Sequence, residues 1–183
     1  MKKILFAAFL FLASFVAGAQ GKYYTKTGRI TFTSNAQLED IEGKNKSVVA
    51  ILDAASGSLQ FSALMKSFEF ERALMQEHFN ASYVESDKYP KAEFKGLITN
   101  NKAINYKKPG TYTAQVKGSL TIHGVTRPVQ TTATIRVEAG SLKATSTFNV
   151  KVADYKIAVG SSLKNKVAKT VRIDVDTTLE PLP

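Results

Sequence analysis

The chain has no cysteine and no tryptophan, and among its 183 residues only two are histidine, His78 and His123. Without cysteine there is no disulfide, no thiol nucleophile and no cysteine to carry a lipid, so the fold must rest on its apolar core. Two histidines and no cysteine do not make a histidine-rich metal site, and Glu77-His78 lacks the second histidine of a helical zinc motif. Ser56-Gly57-Ser58 runs into a strand pattern, where a nucleophile elbow would need a helix. No catalytic residue, metal or cofactor is expected, and the chain is not read as an enzyme. Beyond the N-terminal segment, no apolar run approaches the ~20 residues of a membrane helix.

That N-terminal segment has a recognisable design. Lys2 and Lys3 are followed by an uncharged apolar run over residues 4–17, and Ala17-Gly18-Ala19 is an A-x-A cleavage pattern. The reading is a cleaved signal peptide over 1–19, one domain over 20–183, and a periplasmic or secreted protein. The net charge of +10 stays strongly positive once Lys2 and Lys3 are removed. In an exported chain such an excess points to anionic lipid headgroups or phosphates and not to nucleic acid, and scattered lysines also serve solubility. Nothing in the composition sets an oligomeric state.

From there the chain is written in alternation. Tyr112, Ala114, Val116, Gly118, Leu120 and Ile122 fall on one face of a strand, with Thr113, Gln115, Lys117, Ser119 and Thr121 on the other. His123-Gly124-Val125-Thr126-Arg127-Pro128 connects it to a second long strand with Val129, Thr131, Ala133, Ile135 and Val137 on its dry face. Leu142, Ala144, Ser146, Phe148 and Val150 alternate in turn, as do Ala92, Phe94, Gly96 and Ile98 before them. In the first half, Ile30 and Phe32 alternate, Gly43-Lys44-Asn45-Lys46 reads as a turn, and Ala54-Ala55-Ser56-Gly57 as another. One helix is expected over 68–78, capped by Ser67, with Glu69 and Glu71 in its first turn. Phe70, Leu74 and His78 then share a face, with Met75 and Phe79 beside it. About eight or nine hairpin-linked antiparallel strands and one short helix close most economically as a single up-and-down barrel, an all-β fold.

The dry faces mix small and large side chains, which leaves room inside. Ala92, Gly96, Ala114, Gly118, Ala133, Ala144 and Ser146 are small; Phe94, Tyr112, Val116, Leu120, Ile135 and Phe148 supply apolar walls. A tunnel so lined suits an alkyl or prenyl chain, with Phe70, Leu74 and His78 over its mouth. A charged or carbonyl headgroup would stay at the barrel end, where Arg72, Tyr89 and Lys91 near the helix, or His123 and Arg127 in the hairpin, are the candidates to meet it.

Gly118-Ser119-Leu120-Thr121-Ile122-His123-Gly124-Val125-Thr126-Arg127-Pro128-Val129 resembles the signature hairpin of the YceI-like family of exported, lipocalin-like, isoprenoid-binding barrels. Met75, His78, Phe79 and Asn80 are similar to that family's helix end. Tyr89-Pro90-Lys91-Ala92-Glu93-Phe94 is similar to its tyrosine-proline approach to the next strand, and Asp154-Tyr155 to its acidic-aromatic pair. The family commonly has an early tryptophan, an early strand bearing histidine and an arginine-aspartate pair ahead of the helical histidine; this chain has none of them. The resemblance implies an isoprenoid or other long-chain lipid as partner, for carriage, storage or sequestration. The residues alone also admit a structural or interaction barrel with a filled core, or a peripheral binder that docks on an anionic membrane surface through its lysines.

Overall fold

The computed structural model describes residues 21–160 and 167–182. The expected signal peptide lies outside them, as do residues 161–165 of the irregular stretch that the sequence pattern suggests over 160–165. Among the described residues nine strands are present: β1 Lys22–Asn35, β2 Asp40–Asp53, β3 Ser58–Leu64, β4 Glu69–Phe70, β5 Lys91–Ile98, β6 Gly110–Ile122, β7 Val125–Glu138, β8 Ser141–Lys151 and β9 Thr170–Pro181. Neighbours pair antiparallel in the order β1-β9-β8-β7-β6-β5-β3-β2, and β2 returns to β1, so eight strands close a barrel. β4 is a short extra strand on the start of β2, with Gly43 opposite Phe70 and Lys44 opposite Glu69. Closure leaves the barrel strands without free edges.

Alternation decides which way each strand faces. Along β6 and β7, Ala114, Val116, Leu120, Ile135 and Val137 are buried, while Thr113, Gln115, Lys117, Thr134 and Arg136 are exposed. A polar outside and an apolar inside is the reverse of a barrel that meets lipid along its wall. His123 and Gly124 form the β6–β7 turn with φ of +51° and +70°, the conformation whose twist matches a tight hairpin. β7 therefore starts at Val125, three residues before the expected end of the connection.

Two expectations fail in the first half. Gly43-Lys44-Asn45-Lys46 is not a turn but part of β2, and the chain reverses at 36–39, where Ala36 N–H donates to the Glu39 carbonyl at 3.1 Å. Gly43 is needed inside the strand because the Phe32 ring lies where a Cβ would stand. Asn45 is buried with its polarity satisfied, Nδ2 donating to the Leu64 carbonyl at 3.0 Å and Oδ1 accepting from Ser47 N–H at 2.9 Å.

The helix is also shorter at its start than expected. α1 spans Ala73–His78 and continues through a π-helical turn, Phe79–Tyr83, closed by Val84 N–H on the Phe79 carbonyl at 3.0 Å. Ser67 caps nothing: it ends a 3₁₀ turn, Met65–Ser67, and Glu69 belongs to β4, where it pairs with Lys46. Burial of Phe68 with Phe32 and Phe79, and the pairing of Phe70 with Gly43, hold this segment extended against its helical pattern.

One end of the barrel is solid. Leu52, Leu142 and Leu179 are fully buried there with Val137 and Ile104, and Tyr23, Tyr106 and Tyr112 pack against them. Tyr106 Oη donates to Asn101 Oδ1 at 2.8 Å, and Asn101 Nδ2 donates to the Ala54 carbonyl at 2.9 Å, which ties the floor to the β2–β3 turn. Burial, helped by the nearby Tyr23, pushes the Tyr106 phenol up to about 12. An unfolded tyrosine ionises near ~10. Below that pH both states hold the proton; between about 10 and 12 the unfolded chain releases it first, so stability falls as pH rises through this window. Denaturant titrations across the window should show that loss, and a shallower slope in Tyr106→Phe.

Candidate functional site

Above the floor the barrel is hollow. A cavity of about 240 Å³ runs toward the end that carries the β1–β2 hairpin tip, α1 and the segment after Tyr155. Its origin is a row of small residues along the inner surface: Ala133 on β7 stands opposite Ser146 on β8. Ala144, one step along β8, faces Ile135. Large side chains at any of these positions would close the space, so the row sets the volume.

The walls are hydrocarbon. Phe61, Phe94, Val116, Leu120, Ile135 and Phe148 line the cavity from five strands. The polar groups among the lining residues are mostly spent within the protein. Thr131 Oγ1 lies 3.3 Å from Ser146 Oγ, which donates to the Thr132 carbonyl at 2.9 Å, and Ser34 Oγ accepts from Ala168 N–H at 2.9 Å. Glu93 is the single charged lining residue among those described, and it is exposed on β5. Near the upper end, burial raises the phenols of Tyr83 and Tyr155, the latter with help from Asp154, so both hydroxyls stay neutral. Phe32, Phe68, Phe70 and Phe79 gather beside them, with ring centroids 4.9 to 5.7 Å apart.

Of the residues expected from sequence, Phe94, Val116, Leu120, Ile135 and Phe148 line the cavity together. Ala114 and Tyr112 belong to the solid floor, where Ala114 is fully buried and Tyr112 Oη donates to the Lys108 carbonyl at 3.0 Å. Gly118 is covered by the Phe94 ring. Phe70 sits in the aromatic group on β4, and Leu74 and His78 are exposed, because the helix begins later than expected and turns a different side inward. The side it turns inward carries Phe79, Tyr83 and the following Val84. Phe79 was legible beside the expected face; the inward side of a six-residue helix was not.

The headgroup candidates from the helix and from the hairpin turn out to share one end of the barrel, opposite the floor. Most of them are engaged with protein. Arg72 pairs with Glu39, and Arg127 Nε donates to the Asp154 carbonyl at 2.9 Å. His123 is nearly enclosed, with Nδ1 3.1 Å from the Tyr155 carbonyl and Nε2 2.6 Å from Glu85 Oε2. Tyr89 lies edge-on to its ring at 4.6 Å, with the Lys88 ammonium 5.0 Å from the Tyr89 centroid. Lys91 is exposed. His123 thus pins three segments, and Val84 and Tyr155, which adjoin or form its contacts, both line the cavity. His123→Ala should cost about 1 to 3 kcal/mol, the scale of a buried group losing its partner. Amide exchange should quicken around Glu85 and Tyr155 and stay slow in the floor; uniform loosening would show that the pin is not local.

A closed antiparallel barrel, solid at one end and hollow toward the other, with a short helix at the hollow end, defines the lipocalin-like class. Within that class the chain belongs to the YceI-like domain family, which matches residues 20–179. The fold is similar to a polyisoprenoid binding domain from Saccharophagus degradans implicated in plant cell wall breakdown, with TM-score 0.76 and 16% identity over 88% of this chain and 99% of that one. It is similar to BcnA of Burkholderia cenocepacia, TM-score 0.68 and 19% identity over 83% and 95%. The YCEI protein of Campylobacter jejuni gives TM-score 0.63 and 19% identity over 81% and 90%. At these identities the likeness speaks to the fold. No curated protein sequence matches the chain. Among the described residues there is no group of three or more potential metal ligands, and no helix long and apolar enough to cross a membrane.

Proposed function

We propose that this is an exported protein that takes the hydrocarbon tail of an isoprenoid or similar amphiphilic lipid into its barrel, for carriage, storage or sequestration. The observation that supports it most is the cavity of about 240 Å³ whose walls offer hydrocarbon and almost no free polar group. Each methylene moved from water into such walls contributes about 0.8 kcal/mol, and the pre-formed space needs no rearrangement to receive it. The description of the Saccharophagus degradans domain as polyisoprenoid binding agrees with this chemistry. Export is supported by the leader-like pattern over 1–19 and by a family match that begins at residue 20.

The headgroup would lie at the upper end. There Tyr83 and Tyr155, whose phenols stay neutral, are among the residues lining the cavity while Arg72, His123 and Arg127 already have partners, which favours an uncharged headgroup over a phosphate. Protein purified from an exporting host should release a prenyl-type lipid into organic solvent, identified by mass spectrometry. Repeated preparations with no lipid, and no uptake of an added prenyl alcohol, would remove the reading. A prenyl phosphate binding more tightly than the alcohol, with an advantage that shrinks as salt rises, would reverse the headgroup assignment.

A further inference from the structure

We infer that the β1–β2 hairpin tip and α1 form a docking edge for a phospholipid bilayer, into which Leu38 and Leu74 insert beside the cavity; this rests on the lipid-binding reading above. Leu38 is 69% exposed and Leu74 60% exposed, more than any other large apolar side chain among the described residues. They lie far apart in sequence but on one edge, because Glu39, next to Leu38, pairs with Arg72, two residues before Leu74. Both carrying segments also build the cavity. Ser34 and Ile41, on the strands that flank the hairpin tip, line it, and so do Phe79 and Tyr83, which continue the helix.

The arrangement is a short apolar path from solvent to the hollow of the barrel. A prenyl chain that leaves a bilayer through open water exposes every methylene on the way, whereas a barrel seated on the bilayer lets the chain pass from one apolar medium to the other. Of the other exposed apolar residues, Val49, Ile51 and Leu97 are on the barrel wall opposite Ser62, Gln60 and Ser58, and Leu64, less exposed than Leu38 and Leu74, ends β3 at the same end opposite Lys91. Two leucines on a hairpin and a short helix offer far less than the ~800 Å² per partner of a stable protein interface. Insertion into a bilayer has no such area requirement, since each side chain is surrounded on all sides once it enters. Lys88 and Lys91, exposed on the approach to β5 at the same end, would add attraction to anionic headgroups.

The test is flotation of the purified protein with phosphatidylcholine vesicles and with vesicles containing phosphatidylglycerol. The parent should float with both, and more strongly with the anionic ones. Leu38→Ser/Leu74→Ser should reduce flotation at least tenfold on both, with melting temperature and extractable lipid unchanged, because neither leucine lines the cavity. Lys88→Gln/Lys91→Gln should lose only the anionic preference. A serine variant that floats like the parent, or a parent that floats with neither vesicle, overturns the docking edge even when lipid is extracted from the barrel. Leucine-dependent flotation of a protein that holds no lipid would keep the edge and remove the lipid-binding reading.

Discussion

Ala133→Phe should lower retention of a prenyl lipid by a factor on the order of 100 while leaving the fold nearly as stable as before. Ala133 lines the cavity from the middle of β7, between Ala114 and Ser146, so a benzyl group there projects into the space and not into packed side chains. Displacing about four methylenes at ~0.8 kcal/mol each costs about 3 kcal/mol of binding, which is that factor. Ring burial in an otherwise empty apolar space should offset most of the strain, so the melting temperature should move by only a few degrees. Lipid content by extraction, read beside thermal unfolding, checks both halves. If the interior were filled, the same change would cost about 1 to 3 kcal/mol of stability with no binding to lose.

The strands after the helix were legible because their side-chain period of two is uninterrupted. In β6, β7 and β8 most alternate residues are apolar, with Thr131 and Ser146 the polar exceptions on the inner face, and one register satisfies all three strands at once, so face and order follow together. The first half was read less well because local chemistry and tertiary demand disagree there. Gly43 and Asn45 are turn formers by type, yet Gly43 makes way for the Phe32 ring and Asn45 bonds a strand end nineteen residues away. Phe68 and Phe70 carry a period of two as well as a helical spacing, and only their contacts with Phe32 and Phe79 decide for the extended form.

The site was legible to the same depth. Alternation says which residues point inward; it does not say whether the space opposite a small residue is empty. Ala133 and Ala144 border a void, whereas Ala114, on the same inner surface, is packed into the floor, and the difference lies in what stands across the barrel. The headgroup candidates show the same limit from the charge side. Arg72 and Arg127 look free in the sequence, but their partners, Glu39 and the Asp154 carbonyl, are brought to them only by barrel closure.

Gly118 marks the difference between small because hollow and small because crowded. From alternation it belongs with the cavity, and a bulky replacement would then block lipid and spare the fold. The structure reverses that order. Gly118 faces Gly96 across β5 and β6, and the Phe94 ring lies over both. A Cβ on Gly118 would stand 2.6 Å from Phe94 Cζ, 2.6 Å from the Gly96 Cα, and closer still to the Lys95 carbonyl oxygen. The ring could swing away, but two of the three contacts are backbone and cannot without breaking the β5–β6 ladder. Gly118→Ala should therefore cost about 3 kcal/mol and lower the melting temperature by roughly 10 °C. Gly160→Ala, where nothing among the described residues lies within 4 Å, is the control and should be close to neutral. Since Phe94 is itself a wall of the cavity, loss of its seat should also loosen lipid binding, but only in proportion to the loss of fold. A Gly118→Ala protein of parental stability that sheds its lipid would mean that the glycine pair borders open space after all.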